Sequence, residues 1–109
     1  MAKLKVLFCS AEVVPFAKTG GLADVAGSLP LALESLGVDV RIVMPKYSSI
    51  KISGSEATIG KNIKVYFIEH SEYYSRPGLY GDKFGDYADN LERFSSYSTK
   101  VLELIKEKK

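Results

Sequence analysis

Leu4-Lys5-Val6-Leu7-Phe8-Cys9, then a loop from Ser10 to Gly21 that ends in Gly20-Gly21, then Leu22-Ala23-Asp24-Val25: here a strand gives way to a loop, and the loop to a helix. The apolar run has the length and near-continuous hydrophobicity of a strand buried on both faces. From Leu22 the period changes. Leu22, Val25, Ala26, Leu29, Leu33 and Leu36 recur at spacings of three and four, which predicts an amphipathic helix. Pro30 lies inside that pattern and should kink the helix or mark a weak start. Gly37 stands where a helix C-terminal glycine belongs. Val38 to Met44 reads as a second strand, ended by Pro45. A strand, a helix and a strand in this order form a right-handed crossover, hence a parallel pair in a doubly wound α/β sheet.

Beyond Pro45 the chain turns polar, with a short strand expected at Ala57 to Ile59 and a further strand at Ile63 to Ile68. Glu69 to Asp89 is a long loop carrying Pro77, Gly78, Gly81 and Gly85 together with Tyr73, Tyr74, Tyr80 and Tyr87. A loop of that length in a compact domain is usually functional or disordered. Its aromatic density favours an ordered loop that faces a ligand. Leu91, Phe94, Ser98, Val101, Leu102 and Ile105 mark a terminal helix, with Asp89 or Asn90 as its N-cap. Lys106, Lys108 and Lys109 suit the negative end of its dipole.

The whole chain is 109 residues, 46% hydrophobic and 26% charged, with a formal net charge of +2. That is ordinary globular composition for a single domain, not that of a disordered tail. The small positive excess comes mainly from Lys3, Lys5, Lys106, Lys108 and Lys109, so a nucleic-acid partner is not expected. No apolar run approaches the roughly 18 residues of a membrane span, and the first residues lack the pattern of a signal peptide. With a single cysteine, Cys9, there is no disulfide framework or cysteine-built metal centre, and a cytoplasmic setting is expected.

Chemistry concentrates between the first strand and the first helix, where doubly wound folds bind ligands beyond the carboxyl ends of their strands. Gly20 and Gly21 allow close backbone approach and leave N–H groups near a helix N-terminus that attract phosphate. Lys18 adds a mobile positive charge and Thr19 a hydroxyl. The spacing fits neither the dinucleotide glycine fingerprint nor the P-loop. A tight turn with a solvated lysine accounts for the same residues about as well. Other groups are weaker candidates. His70 is the only histidine and reads as a surface residue. Cys9 reads as a small buried hydrophobe. Glu12 could bind a sugar hydroxyl or brace its own loop. Asp82, Asp86, Asp89 and Glu92 could hold a cation, though solvated caps explain them better.

The run Lys18-Thr19-Gly20-Gly21-Leu22-Ala23-Asp24-Val25, just after an N-terminal strand, resembles the signature of bacterial glycogen synthases and plant starch synthases. Val38-Asp39-Val40-Arg41 to Met44-Pro45-Lys46-Tyr47 resembles their second strand and its exit. Arg76-Pro77-Gly78-Leu79-Tyr80-Gly81, with Asp86-Tyr87, Asp89-Asn90 and Arg93-Phe94, resembles their long loop and the helix after it. The resemblance covers nearly the whole chain except roughly Ser48 to Lys61, where this sequence is shorter. It implies an incomplete Rossmann-like parallel sheet with flanking helices, a single partial N-terminal catalytic domain over residues 1–109 of a two-domain (GT-B) glycosyltransferase.

The activity so implied moves glucose from ADP-glucose to the non-reducing end of an α-1,4-glucan with retention. On that resemblance Lys18, Thr19, Gly20 and Gly21 lie near the donor diphosphate and sugar, Asp24 near the sugar, and Tyr80 against the adenine; no metal and no cofactor are called for. Asp24 as a helix first-turn carboxylate and Tyr80 as plain loop packing are the competing explanations. The family's His-Ala-His-Asp-Trp-like segment does not occur in these residues, so the 109-residue polypeptide is expected to be inactive alone. Two non-catalytic alternatives remain: a module binding sugar nucleotide or glucan, and an assembly fragment. In the second, strand one exposes an edge that pairs with another copy or a complementary chain.

Overall fold

A computed structural model describes residues 3–108; Lys109 and the side chain of Lys108, assigned above to the helix dipole, lie outside the described residues. The described chain forms β1 (Lys5–Cys9), α1 (Gly21–Ser35), β2 (Asp39–Pro45), β3 (Glu56–Ile59), β4 (Ile63–Ile68), β5 (Gly81–Asp82), β6 (Gly85–Asp86) and α2 (Asn90–Lys108). The main sheet has the order β1-β2-β4-β3. β1, β2 and β4 run parallel, Lys5 opposite Asp39 and Arg41 opposite Lys64, while β3 is antiparallel to β4. The α/β reading with parallel strands therefore stands, with one antiparallel strand closing the far edge.

Alternation along the strands splits the core in two. Ile42 and Met44 of β2 join Ile63, Val65 and Phe67 of β4 and Ala26 of α1 on one face. Val43, Tyr66 and Ile68 face the other way, against Tyr97 and Val101 of α2. Each helix thus covers one side of β2 and β4, which are buried almost throughout.

β1 is different. It lies at the sheet edge and is only half buried in its middle, which corrects the expectation of a strand covered on both faces. Cys9 is exposed for the same reason. Val6 and Leu7 instead open onto an apolar cleft of about 230 Å³ that Leu104 and Ile105 of α2 close on the other side.

α1 carries a second correction. The residues it buries are Ala23, Ala26 and Pro30, whereas Leu22, Val25, Leu29 and Leu36 of the predicted stripe are 42–79% exposed. Small side chains let the helix lie close against the sheet, and the leucines point away. Pro30 sits within a continuous helix. The predicted C-terminal glycine holds: Gly37 has φ +88°, its N–H bonds the Glu34 carbonyl, and Val38 N–H bonds the Leu33 carbonyl. At this end of the sheet the Glu34 carboxylate also accepts the Lys61 and Asn62 amides at 3.0 and 2.9 Å, clasping the β3–β4 turn. No helix among the described residues is long and apolar enough to cross a membrane.

Candidate functional site

The segments leaving β1, β2 and β4 meet at the carboxyl rim of the sheet. Ser10 N–H bonds the Val43 carbonyl, and the Ser10 hydroxyl bonds the Glu12 carbonyl at 2.8 Å, turning the chain as it leaves β1. Val13 is fully buried, Phe16 and Ala17 amides fold back onto its carbonyl, and Val14 N–H bonds the Ala23 carbonyl. The loop is thereby laid along α1. From below, Tyr47 just past β2 donates its hydroxyl to the Ala11 carbonyl at 2.6 Å.

Glu12 is the centre of this arrangement and only 2% exposed. One carboxylate oxygen accepts the Thr19 and Gly20 amides at 3.0 and 3.1 Å. The other accepts the Thr19 hydroxyl at 2.7 Å and the Tyr80 hydroxyl. Burial pushes the Glu12 carboxyl up, but the hydrogen bonds from Thr19, Tyr80 and Gly20 outweigh it and hold the pKa at about 2. Burial, and then the neighbouring carboxylate, raise the Tyr80 phenol, so the hydroxyl stays protonated and donates. Of the two readings for Glu12, bracing its own loop is the one observed. The free amides expected at the glycine pair are corrected in part, because Gly20 N–H is already committed to Glu12.

The remaining predicted residues gather beside it. Lys18 Nζ lies 2.9 Å from both carboxylate oxygens of Asp24, with each side chain about half exposed. The expected mobile charge is thus paired, though an exposed ion pair of this kind is worth at most about 1 kcal/mol. Gly20 is the N-cap of α1 and no side chain from its own position caps it. Its φ of −162° is extended backbone that any residue adopts, and Gly21 has no positive φ. A Cβ added to either glycine would meet nothing within 4 Å. Neither packing nor backbone conformation accounts for this pair.

Tyr80 reaches the site from the long loop, which its own hydrogen bonds tie to α2. Its carbonyl accepts Tyr87 N–H and Asn90 Nδ2, both at 2.9 Å. The Arg76 and Arg93 guanidinium groups both lie over the Tyr87 ring, 4.7 and 4.8 Å from its centroid. Arg76 makes a two-pronged ion pair with Asp89 at 2.8 and 2.7 Å. Asp89 also accepts Arg93 N–H at its carbonyl, which sets it at the start of α2 as predicted. Asp89 is thus paired and Asp82 accepts Phe84 N–H; no metal-holding group of three gathers among the described residues. His70 Nδ1 accepts Tyr73 N–H, and its ring stacks on the Tyr73 ring at 4.3 Å.

Lys18, Asp24 and Tyr80 thus stand around an open, glycine-lined rim of an α/β sheet, and the relatives of the chain can be set beside it. The family of the starch synthase catalytic domain matches residues 5–109, and the chain belongs to that family. The glycogen synthase of Geotalea uraniireducens is 42% identical over 94% of this chain. That of Photobacterium profundum is 44% identical over 93% of it. The structure of the catalytic domain of Starch Synthase IV from Arabidopsis thaliana, bound to ADP and acarbose, aligns over 97% of the chain with a TM-score of 0.78 and 29% identity. The chain spans about a quarter of these proteins' own length, 26%, 24% and 26%.

Proposed function

We propose that residues 1–109 form part of the N-terminal domain of a glucosyltransferase that moves glucose from ADP-glucose to the non-reducing end of an α-1,4-glucan with retention. In this reading the β1–α1 rim is one wall of the donor site. The observation that carries it is the glycine pair: bare backbone at a helix N-terminus, facing open space, with no internal reason for glycine. An incoming diphosphate draws Lys18 from Asp24 at little cost, because the pair is exposed. Asp24 is then free to accept a sugar hydroxyl. Lys18 and the first amides of α1 offset charge developing on the departing diphosphate. The Tyr80 ring offers a face to the adenine. The Thr19 hydroxyl proton is committed to Glu12, so Thr19 serves the site mainly by fixing the turn. Retaining transfer needs the sugar enclosed and dry, and these residues build one wall, so binding is the property to measure.

Titrating ADP into the isotope-labelled chain should shift the amides of Lys18 to Asp24 and of Tyr80. Gly21→Ala should leave thermal stability unchanged or raise it by about 0.5–1 kcal/mol, yet weaken ADP binding about tenfold by placing a methyl in the ligand's path. No amide shift at millimolar ADP, or full binding by Gly21→Ala, would count decisively against this reading.

The open edge of β1 favours a second property, self-association. Among the described residues its outer backbone groups have no strand partner, and the flanking cleft of Val6, Leu7, Leu104 and Ile105 is apolar. Light scattering on the 109-residue polypeptide should find a dimer that Leu7→Lys dissociates; a compact monomer at high concentration removes the idea.

A further inference from the structure

We infer that Glu12 is the positioning residue of this rim: its carboxylate ties the Thr19–Gly20 backbone to the Tyr80 hydroxyl and makes two distant segments one surface for the nucleotide. The inference rests on the donor-site reading for its function, but the tie itself stands on the geometry. A carboxylate this buried normally has a cationic partner. Among the described residues Glu12 has no ion-pair partner, since Lys18 is engaged with Asp24. It is satisfied by neutral donors alone, two amides and two hydroxyls.

Local capping of α1 does not require this. A serine or aspartate at the N-cap would hold an amide of the first turn from its own position. Here the cap is a glycine, and Glu12, eight residues earlier, accepts the amides of that cap and of Thr19 before it, leaving the first amides of α1 to the open rim. What Glu12 adds is a reach across 68 residues to Tyr80. Tyr80 is itself anchored to α2 through Asn90. The clamp therefore extends the rigidity of α2 to the turn that carries Lys18 and the glycine pair. With four donors on its two oxygens, Glu12 has no acceptor capacity left for a ligand hydroxyl. It acts on the ligand only through the groups it holds.

Tyr80→Phe isolates the clamp, because it keeps the aromatic face and removes only the hydroxyl. Amide hydrogen exchange at Thr19 and Gly20 should accelerate about tenfold in Tyr80→Phe, while β2 and β4 amides keep their wild-type protection. Glu12→Gln should do the same and more. With ADP as the probe, each variant should bind about tenfold more weakly, and the double variant no more weakly than Glu12→Gln alone. Wild-type exchange at Thr19 and Gly20 in Tyr80→Phe, or losses that multiply in the double variant, would overturn the inference. If wild-type chain fails to bind ADP, the donor-site reading falls by itself, and the exchange experiment still decides the clamp.

Discussion

Arg93→Met should lower the stability of the chain by about 3 kcal/mol, the largest effect expected of any single substitution here. Arg93 is fully buried in the first turn of α2. Its Nε donates to the Tyr73 carbonyl at 2.6 Å, and one Nη donates to the Leu79 carbonyl at 2.9 Å and to Asn90 Oδ1 at 2.7 Å. The other Nη has no hydrogen-bond acceptor, but the guanidinium lies against the Tyr87 and Phe94 rings at 4.8 and 5.2 Å. Methionine fills most of the space and satisfies none of the carbonyls, each of which costs roughly 1–3 kcal/mol when stranded away from water. For a domain of this size that predicts a fall in melting temperature of about 12–24 °C, read by circular dichroism. Arg93→Lys should fall nearly as far, because a point charge cannot serve two carbonyls in one plane. A loss of under about 4 °C, roughly 1 kcal/mol, would mean the loop is held by something else.

Gly27→Ala should come second. A Cβ there would stand 2.8 Å from the Val14 carbonyl oxygen and 3.0 Å from its Cβ, so the obstacle is backbone, which yields at high cost. Overpacking of this kind costs about 1–3 kcal/mol, and alanine's better helix propensity returns up to about 1 kcal/mol of it. With backbone at 2.8 Å the cost falls in the upper part of that range, about 2–3 kcal/mol, so the net is about 1–2 kcal/mol, or roughly 4–16 °C. Val14 lies between Glu12 and the glycine pair, so the Thr19 and Gly20 amide shifts should move as well. Unchanged stability with unchanged shifts would show that the loop does not rest on the helix at this point. The contrast with Gly21 is instructive: one glycine is demanded by the fold, the other by nothing inside it.

Hydrophobic pattern made most elements legible beforehand. β2 and β4 have a helix on each side and are largely apolar, with Asp39, Arg41 and Lys64 as the exceptions; the apolar run ending at Pro45 marks β2, and the alternation from Ile63 to Ile68 marks β4. α1 was found in the right place with the wrong face inward. Leucines at helical spacing suggest a core stripe, yet Ala23, Ala26 and Pro30 make the contact because the helix lies close to the sheet. Nothing in one sequence ranks a small stripe above a large one.

In the candidate site, Lys18, Asp24 and Tyr80 stand out in the sequence by family resemblance. Glu12 is open to two readings in the sequence, since three of its four bonds join a turn that no local pattern specifies and the fourth comes from 68 residues away. Arg93 did leave a signal. Asn90, Arg93, Tyr97, Val101 and Leu104 recur at three and four, all buried or half buried, so an arginine stood on the inward face of α2 and demanded acceptors.

The Glu34 clasp on the β3–β4 turn has a practical corollary. It fastens Lys61 at the end of the sheet opposite the glycine pair, where the lysine is exposed and its amide is pinned. A linker or dye coupled at Lys61 would be firmly seated yet turned away from anything entering between Lys18 and Tyr80, which makes it the natural anchorage for immobilising the chain on a sensor surface.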